Sequence, residues 1–239
     1  MPDISYLDQS KAFWSQGVYD APNPESFVFR AYGRIFKPDF GLDGSGHEKL
    51  LDFGCGPGGN TKFYHDRGFD VYGVDLSEID IGRCKQRMPK VADHFKVVSA
   101  LSKRDDRWFG DTKFRIVTAF QSLYLMSEAD MHTRLMSLYD MMESGGIIYV
   151  SMMAESSWYF GMSVPVGDGL RRVTMARKTD QGREGMAQND FYMNFTRDED
   201  DLKHKLRMFK PVHTKGYYDM MYRNDEGSER HFLFVGQKA

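Results

Sequence analysis

The stretch Leu50-Leu51-Asp52-Phe53-Gly54-Cys55-Gly56-Pro57-Gly58-Gly59-Asn60-Thr61 constrains this chain more than any other. A short apolar run ends in four glycines within six residues, and a helical pattern follows, so a buried strand must turn abruptly into a helix. Glycine reaches positive φ without Cβ strain and lets the backbone approach another molecule closely. The helix N-terminus beyond it offers unpaired N–H groups and a partial positive charge to the anionic end of a ligand. Asp70-Val71-Tyr72-Gly73-Val74-Asp75-Leu76 then reads as a second buried strand that ends on a carboxylate. Asp75 stands about twenty residues beyond the glycines, the distance at which a doubly wound fold presents an acid to ribose hydroxyls. The spacing implies a ligand with an adenosine-like sugar. Gly54, Gly56 and Gly59 spell G-x-G-x-x-G, while Gly54, Gly56 and Gly58 spell G-x-G-x-G, so the glycines alone leave two cofactor classes open.

The rest of the chain continues the alternation. Strand one (49–53), its helix (59–67), strand two (70–74), a helix opened by Ser77 and Glu78, strand three (95–98), strand four (114–120), an amphipathic helix (127–143) and strand five (146–152) form a βα series. Such a series implies a parallel sheet with right-handed crossovers and helices on both faces. Before it, apolar residues recur at helical spacing from Asp8 to Gly17 and from Pro24 to Phe36. Asn23-Pro24-Glu25 supplies an N-cap, a proline at the first helical position and a first-turn acid. Gly41 to His47 reads as a flexible connector, and Ser102 to Arg107 as a solvated loop.

After strand five, two alternating runs, 170–179 and 186–195, flank Asp180-Gln181-Gly182-Arg183-Glu184-Gly185 and predict an inserted hairpin. At that end of the sheet it serves either substrate choice or, as the alternative, pairing in a homodimer or a solvent-facing flap. From Arg197 to Lys210 acids come first and bases last, which complements a helix dipole, and Pro211 is expected to stop that helix. Two further strands, 213–222 and 229–236, end the chain.

At 239 residues this is one domain, with a helical lid (1–47), a cofactor-binding core (48–153), an inserted flap (154–196) and a C-terminal helix and hairpin (197–239). A net charge of −2 with mixed signs advertises no polyanion partner, so nucleic acid is not expected. The N-terminal residues lack a basic, apolar leader, and no run of eighteen apolar residues occurs, so no membrane partner and a cytoplasmic location are expected. Cys55 and Cys84 are the only cysteines, which fits a reduced chain. No metal is expected.

Asp52 two residues before the first glycine, Pro57 within the turn and Glu143-Ser144-Gly145-Gly146-Ile147-Ile148-Tyr149-Val150 separate the two cofactor classes. Together they resemble the class I S-adenosylmethionine-dependent methyltransferase family, over roughly Lys49 to Met153. The resemblance implies a Rossmann-like α/β fold: a seven-stranded, mostly parallel, doubly wound sheet with an antiparallel C-terminal strand. It implies S-adenosylmethionine as cofactor. Gly54, Cys55 and Gly56 would pass beside the methionine part and ribose, with Asp52 beneath the turn. Asp75 would hold the ribose hydroxyls and Leu76 pack on the adenine. Ser99, Ala100 and Leu101 would flank the adenine edge, and Phe120 and Gln121 would line the methionine side.

Two positions depart from the family pattern. Ser99-Ala100 stands where many relatives carry an acid, and Arg115 where they often carry Asp. For the acceptor, Gln121-Ser122-Leu123-Tyr124 lacks the N-P-P-Y sequence of enzymes that methylate amide or base nitrogens, and a Pro-Cys nucleophile is missing. A small-molecule acceptor is left, with O-methylation favoured over N-methylation, and the pattern resembles methyltransferases of the ubiquinone-biosynthesis and tellurite-resistance types. Tyr124 is the first candidate to face the acceptor, followed by His132 and His65. Tyr6, Tyr19 and Tyr32 are candidates for a lid over cofactor and substrate. The competing readings are an NAD-dependent oxidoreductase on the same glycine pattern and a cofactor-binding scaffold subunit without turnover.

Overall fold

A computed structural model describes residues 6, 9, 22–176, 188–220 and 229–239. Helix α1 (Ser26–Ala31) continues through a π-helical stretch, Tyr32–Phe36, into α2 (Lys37–Phe40), which Gly41 closes in the left-handed region at φ 65°. Pro38 has no N–H to return to the preceding turn and crowds the carbonyl four residues back, so the widened turn relieves it. The helix starts later than Asn23-Pro24-Glu25 predicts. The Glu25 N–H donates to Asn60 Oδ1 at 2.9 Å and Glu25 itself is extended, so Pro24 lies outside the helix. Of the helix expected from Asp8 to Gly17, only Gln9 is among the described residues.

Strands β1 (Lys49–Phe53), β2 (Asp70–Asp75), β3 (Phe95–Val97), β4 (Phe114–Ala119), β5 (Met142–Met153), β9 (Lys210–Met220) and β10 (Glu229–Gln237) form one sheet in the order β3-β2-β1-β4-β5-β10-β9. β1 to β5 pair in parallel, and β10 runs antiparallel to β5 and β9. The order reverses at β1, which opens a crevice at the carboxyl ends of β1 and β4. Connecting helices are α3 (Gly59–His65), α4 (Glu78–Arg87) and α5 (Glu128–Met141); the last two open at Ser77 and Ser127 as the sequence predicts, and both serines cap them.

The sheet is buried on both faces, as parallel strands require. Leu51, Val117, Ile148 and Val150 pack with Leu135 and Leu138 of α5 on one face. Leu50, Val71, Ile116 and Ile147 pack with Phe27, Val28 and Phe36 of the N-terminal helices on the other. The expected strand at 146–152 begins earlier, at Met142, because an irregular register between Phe114 and Ile116 absorbs the Gly145-Gly146 pair. Arg115 has a structural task there: its guanidinium donates to the Gly145 carbonyl at 2.7 Å.

The insertion after β5 opens with a short helix, α6 (Trp158–Gly161), and forms three strands rather than two: β6 (Ser163–Gly167), β7 (Leu170–Ala176) and β8 (Gln188–Asn194), in the order β6-β7-β8. The strand missed in the sequence, Ser163-Val164-Pro165-Val166-Gly167, carries a proline that demotes it to an edge, and β6 is an edge strand. The turn expected at 180–185 lies outside the described residues. Val173, Phe191 and Met193 join the main core, so the flap is anchored to the domain by packing.

The C-terminal helix α7 (Glu199–Lys205) is shorter than predicted, and Pro211 does not stop it. The ammonium of Lys205 turns inward to Asn194 Oδ1 at 3.0 Å and Asp201 at 3.2 Å, the chain tightens through Phe209, and Pro211 lies inside β9. The connector 41–47 is also not loose: Tyr32 donates to the Asp43 carbonyl at 3.2 Å and His47 Nδ1 meets the Gly68 carbonyl at 2.9 Å. Among the described residues no helix is long and apolar enough to cross a membrane.

Candidate functional site

The glycine turn leaves β1 at the switch point of the sheet. Gly54 and Cys55 both donate to the Val74 carbonyl, at 2.8 and 3.1 Å, which ties the turn to the end of β2. Gly54 sits at φ 74°, and a Cβ there would lie 2.4 Å from the Cβ of Ser122, so no other residue fits. Gly56, at φ 50°, has open space where its Cβ would be. That vacant side is the approach a bound molecule can use.

Asp75 closes the same corner. Its Oδ2 accepts from the Gly56 N–H at 2.8 Å and its Oδ1 from the Ser77 N–H at 2.9 Å. Each carboxylate oxygen has further lone pairs, so Asp75 can still accept from two vicinal hydroxyls. Burial pushes its pKa upward, against the two backbone bonds that lower it. These residues fit the adenosyl end of S-adenosylmethionine.

Beneath the turn, Asp52 is buried and accepts from Thr61 Oγ1 at 2.6 Å and Thr118 Oγ1 at 2.8 Å. Burial pushes its carboxyl up to about 6. The carboxylate thereby joins β1, the first turn of α3 and β4. The two thiols are free, with Cys55 Sγ 3.9 Å from Cys84 Sγ, and Cys84 donates to the Gly56 carbonyl at 3.2 Å. Their mutual bond and burial raise the Cys55 thiol well above its usual range, so it packs as a neutral group.

At the end of β4, Phe120 is buried and Gln121 takes φ 49°, its N–H donating to Ser151 Oγ at 2.8 Å. Ser122 then bonds the Phe53 carbonyl at 2.9 Å, so this segment is stitched to the glycine turn. Tyr124 follows on a single 3-10 turn, Leu123–Leu125, and is buried.

Asp52, Gly54, Cys55, Gly56, Asp75 and Leu76, around the ends of β1 and β2, and Phe120 and Gln121, just after β4, thus all stand toward the carboxyl end of the central strands. Ser99, Ala100 and Leu101 follow β3, where Ser99 Oγ accepts the Leu101 N–H at 3.2 Å. The Leu101 side chain is 49% exposed. Tyr32 packs on Phe63, Phe69 and Arg67 at the opposite end of the strands. Tyr6 bonds Asp130 of α5 and meets Tyr192 of the flap edge-on at 5.7 Å, and burial followed by the Asp130 bond raises its pKa. His132 is exposed on α5, and His65 is half-buried at the end of α3. Tyr19 lies outside the described residues.

Four supports escaped the sequence reading. Thr61, Thr118 and Ser122 hold the turn from below and behind, and Arg134 holds the loop that carries Ser99 to Leu101. Arg134 is 1% exposed, bonds Asp106 at 2.7 Å and the Leu101 carbonyl at 3.5 Å, and lies over the rings of Trp108 and Phe53. Arg104 and Arg107 of the same loop both reach Asp140. The segment expected to be a solvated loop is therefore clamped to α5. Arginine at a core position of an amphipathic helix was the available signal.

Comparison with known proteins agrees with this geometry. Residues 25–219 match the family model described as a methyltransferase domain. An uncharacterized methyltransferase from Synechocystis is 28% identical over 124 residues, covering 52% of this chain and 56% of that protein. The chain spans about half the length of the curated relatives it matches. Among solved structures, an S-adenosylmethionine-dependent methyltransferase from Methanosarcina mazei has a TM-score of 0.61 at 16% identity, covering 80% of this chain and 92% of that one. TehB from Haemophilus influenzae has a TM-score of 0.56 at 14% identity, covering 97% of this chain and 67% of that one. With the glycine turn, the Asp75 corner and the matched residues taken together, the chain belongs to the methyltransferase domain family.

Proposed function

We propose that this protein transfers the methyl group of S-adenosylmethionine to a small-molecule acceptor, with oxygen favoured over nitrogen as the attacking atom. The observation that carries the reading is the Asp75 corner: a carboxylate fixed by the Gly56 and Ser77 N–H groups, beside the open side of Gly56. The cofactor supplies a methyl group already activated on a sulfonium. The protein's part is to align donor and acceptor, exclude water and accept a proton where the acceptor carries one.

In this reading Asp75 and Gly56 hold the ribose, Leu76 and the loop from Ser99 to Leu101 flank the adenine, and Phe120 and Gln121 line the methionine side. Tyr124 faces the acceptor. A small acceptor is supported by the aromatic cover over the strand ends, where Phe27 of α1 meets Phe120 at 5.0 Å and Tyr217 at 5.3 Å. A net charge of −2 supports an acceptor other than a nucleic acid. The two free, buried thiols support a cytoplasmic location.

Asp75→Ala is expected to weaken binding of S-adenosylhomocysteine by about 1–3 kcal/mol, the cost of leaving hydroxyl partners unpaired. Titration calorimetry of both proteins measures it. A wild-type protein that takes up neither S-adenosylmethionine nor S-adenosylhomocysteine would end this reading. Transfer of labelled methyl into fractionated cell metabolites then identifies the acceptor.

A further inference from the structure

His231 is a buried histidine of β10. Its side chain is fully buried, and neither Nδ1 nor Nε2 has a hydrogen-bond partner among the described residues. Orphaned polar atoms of this kind are rare in native cores and cost stability. A phenylalanine would fill the same space without that cost, so packing alone does not account for the residue.

Its position does. His231 stands opposite Met153, the last residue of β5, and two residues along β5 from Ser151, whose hydroxyl receives the Gln121 N–H. It therefore sits at the carboxyl end of the parallel strands, the end that carries the glycine turn. Its ring stacks on Tyr217 of β9, with centroids 5.4 Å apart and planes 21° apart, and lies 5.9 Å from the ring of Tyr124. Tyr124 belongs to the 3-10 turn that begins after Ser122, and Ser122 touches Gly54 and Phe53 on its other side. One short turn of chain thus bridges the glycine turn and the imidazole.

We infer that His231 is a catalytic residue that takes the proton from the methyl acceptor, which approaches the imidazole beside Tyr124. The inference rests on the function proposed above. An imidazole nitrogen accepts the acceptor's O–H proton, and the pair from that bond stays on oxygen. A lone pair of that oxygen forms the bond to the methyl carbon, while the carbon–sulfur electrons stay on sulfur, which becomes a neutral thioether. The imidazolium then returns its proton to water. The partner missing from His231 is supplied by the acceptor's own hydroxyl.

The surroundings keep the base neutral. Among the described residues, the titratable groups facing it are Tyr124 from the turn after β4 and Tyr217 from β9, while β5 presents Met153. The adjacent Arg230 turns to Ser156 Oγ at 3.2 Å and lies over Tyr218 and Phe232. Burial alone brings the imidazole down to about 4, so its lone pair is free at neutral pH.

The test uses His231→Phe, which keeps the ring stack, and His231→Gln, which keeps a polar group. Both should bind S-adenosylhomocysteine within roughly twofold of wild type. Label transfer from S-adenosylmethionine into the metabolite fraction that the wild type methylates should fall roughly 10²–10⁴-fold, the usual contribution of a positioned base. The wild type should lose kcat/KM as the pH falls toward about 4, and the residual activity of His231→Phe should lack that limb. In the wild type, the ring ¹⁵N resonances of His231 should move when the methylated fraction's acceptor is added with S-adenosylhomocysteine, and stay in place with S-adenosylhomocysteine alone. Near wild-type transfer by either variant would overturn the inference, as would a loss of transfer that merely tracks lost cofactor affinity. A wild type that binds no cofactor would instead overturn the proposed function, and the inference with it.

Discussion

Asp106→Ala is expected to destabilise the protein by about 3–5 kcal/mol, although Asp106 lies on a charged surface loop. Its side chain is 21% exposed, but the guanidinium it neutralises is 1% exposed. Removing the carboxylate strands a buried charge over the rings of Phe53 and Trp108, with the Leu101 carbonyl at 3.5 Å as its remaining hydrogen-bond acceptor among the described residues. Burial already lowers the Arg134 pKa, with Asp106 as the main opposing influence. Arg134→Met removes the charge together with its partner's duty, leaving an Asp106 that water can reach. It should therefore cost less, about 1–2 kcal/mol. Urea unfolding of the two single variants and the double variant decides the matter. If Asp106→Ala is no worse than Arg134→Met, the loop is not held in this way. Because the same guanidinium supports the Leu101 carbonyl, both variants should also weaken S-adenosylhomocysteine binding.

Asp52 and His231 are expected to tilt the stability in opposite directions over one pH window. Asp52 moves from its ordinary 3.8 up to about 6 on folding, so the folded state is favoured below the lower value and penalised as the pH rises through the upper one. His231 moves from 6.5 down to about 4, so its contribution is intact above 6.5 and is lost as the pH falls toward 4. Each difference of slightly more than two pH units corresponds to about 3 kcal/mol. Between roughly pH 4 and 6 the two nearly cancel in the wild type. Relative to wild type, Asp52→Asn should gain stability as the pH rises across this window, because the carboxylate penalty is gone. His231→Phe should gain stability as the pH falls. Denaturant midpoints measured from pH 4 to 7 test this, and parallel curves for the two variants would refute it.

What the sequence disclosed and what it hid follow from how local each signal is. The glycine turn and Asp75 could be read because a strand, a tight turn and an acid at the next strand tip are set by a few consecutive residues. The same holds for the caps Ser77 and Ser127, whose hydroxyls accept N–H groups three residues on. Pro211 misled because a proline after a basic run resembles a helix stop, whereas the turn of Lys205 toward Asn194 ended the helix earlier. Arg134 and His231 were hidden for the opposite reason. Their partners lie 28 and 14 or more positions away, at Asp106 and Tyr217, and only the packed sheet brings them together. The lid tyrosines were drawn from aromatic density and from the family's N-terminal helical segment, and neither signal fixes the end of the strands against which Tyr32 packs.

The margins of the main sheet also govern how copies of this molecule can meet. On one side the last strand, β3, is only three residues long. On the other, β9 carries Pro211 without an amide hydrogen to offer, beside a break in register opposite Gly236. Short rims, proline and bulges all discourage main-chain ladders from extending into a neighbour. Edge-to-edge extension of the main sheet into a second copy is accordingly opposed from both flanks.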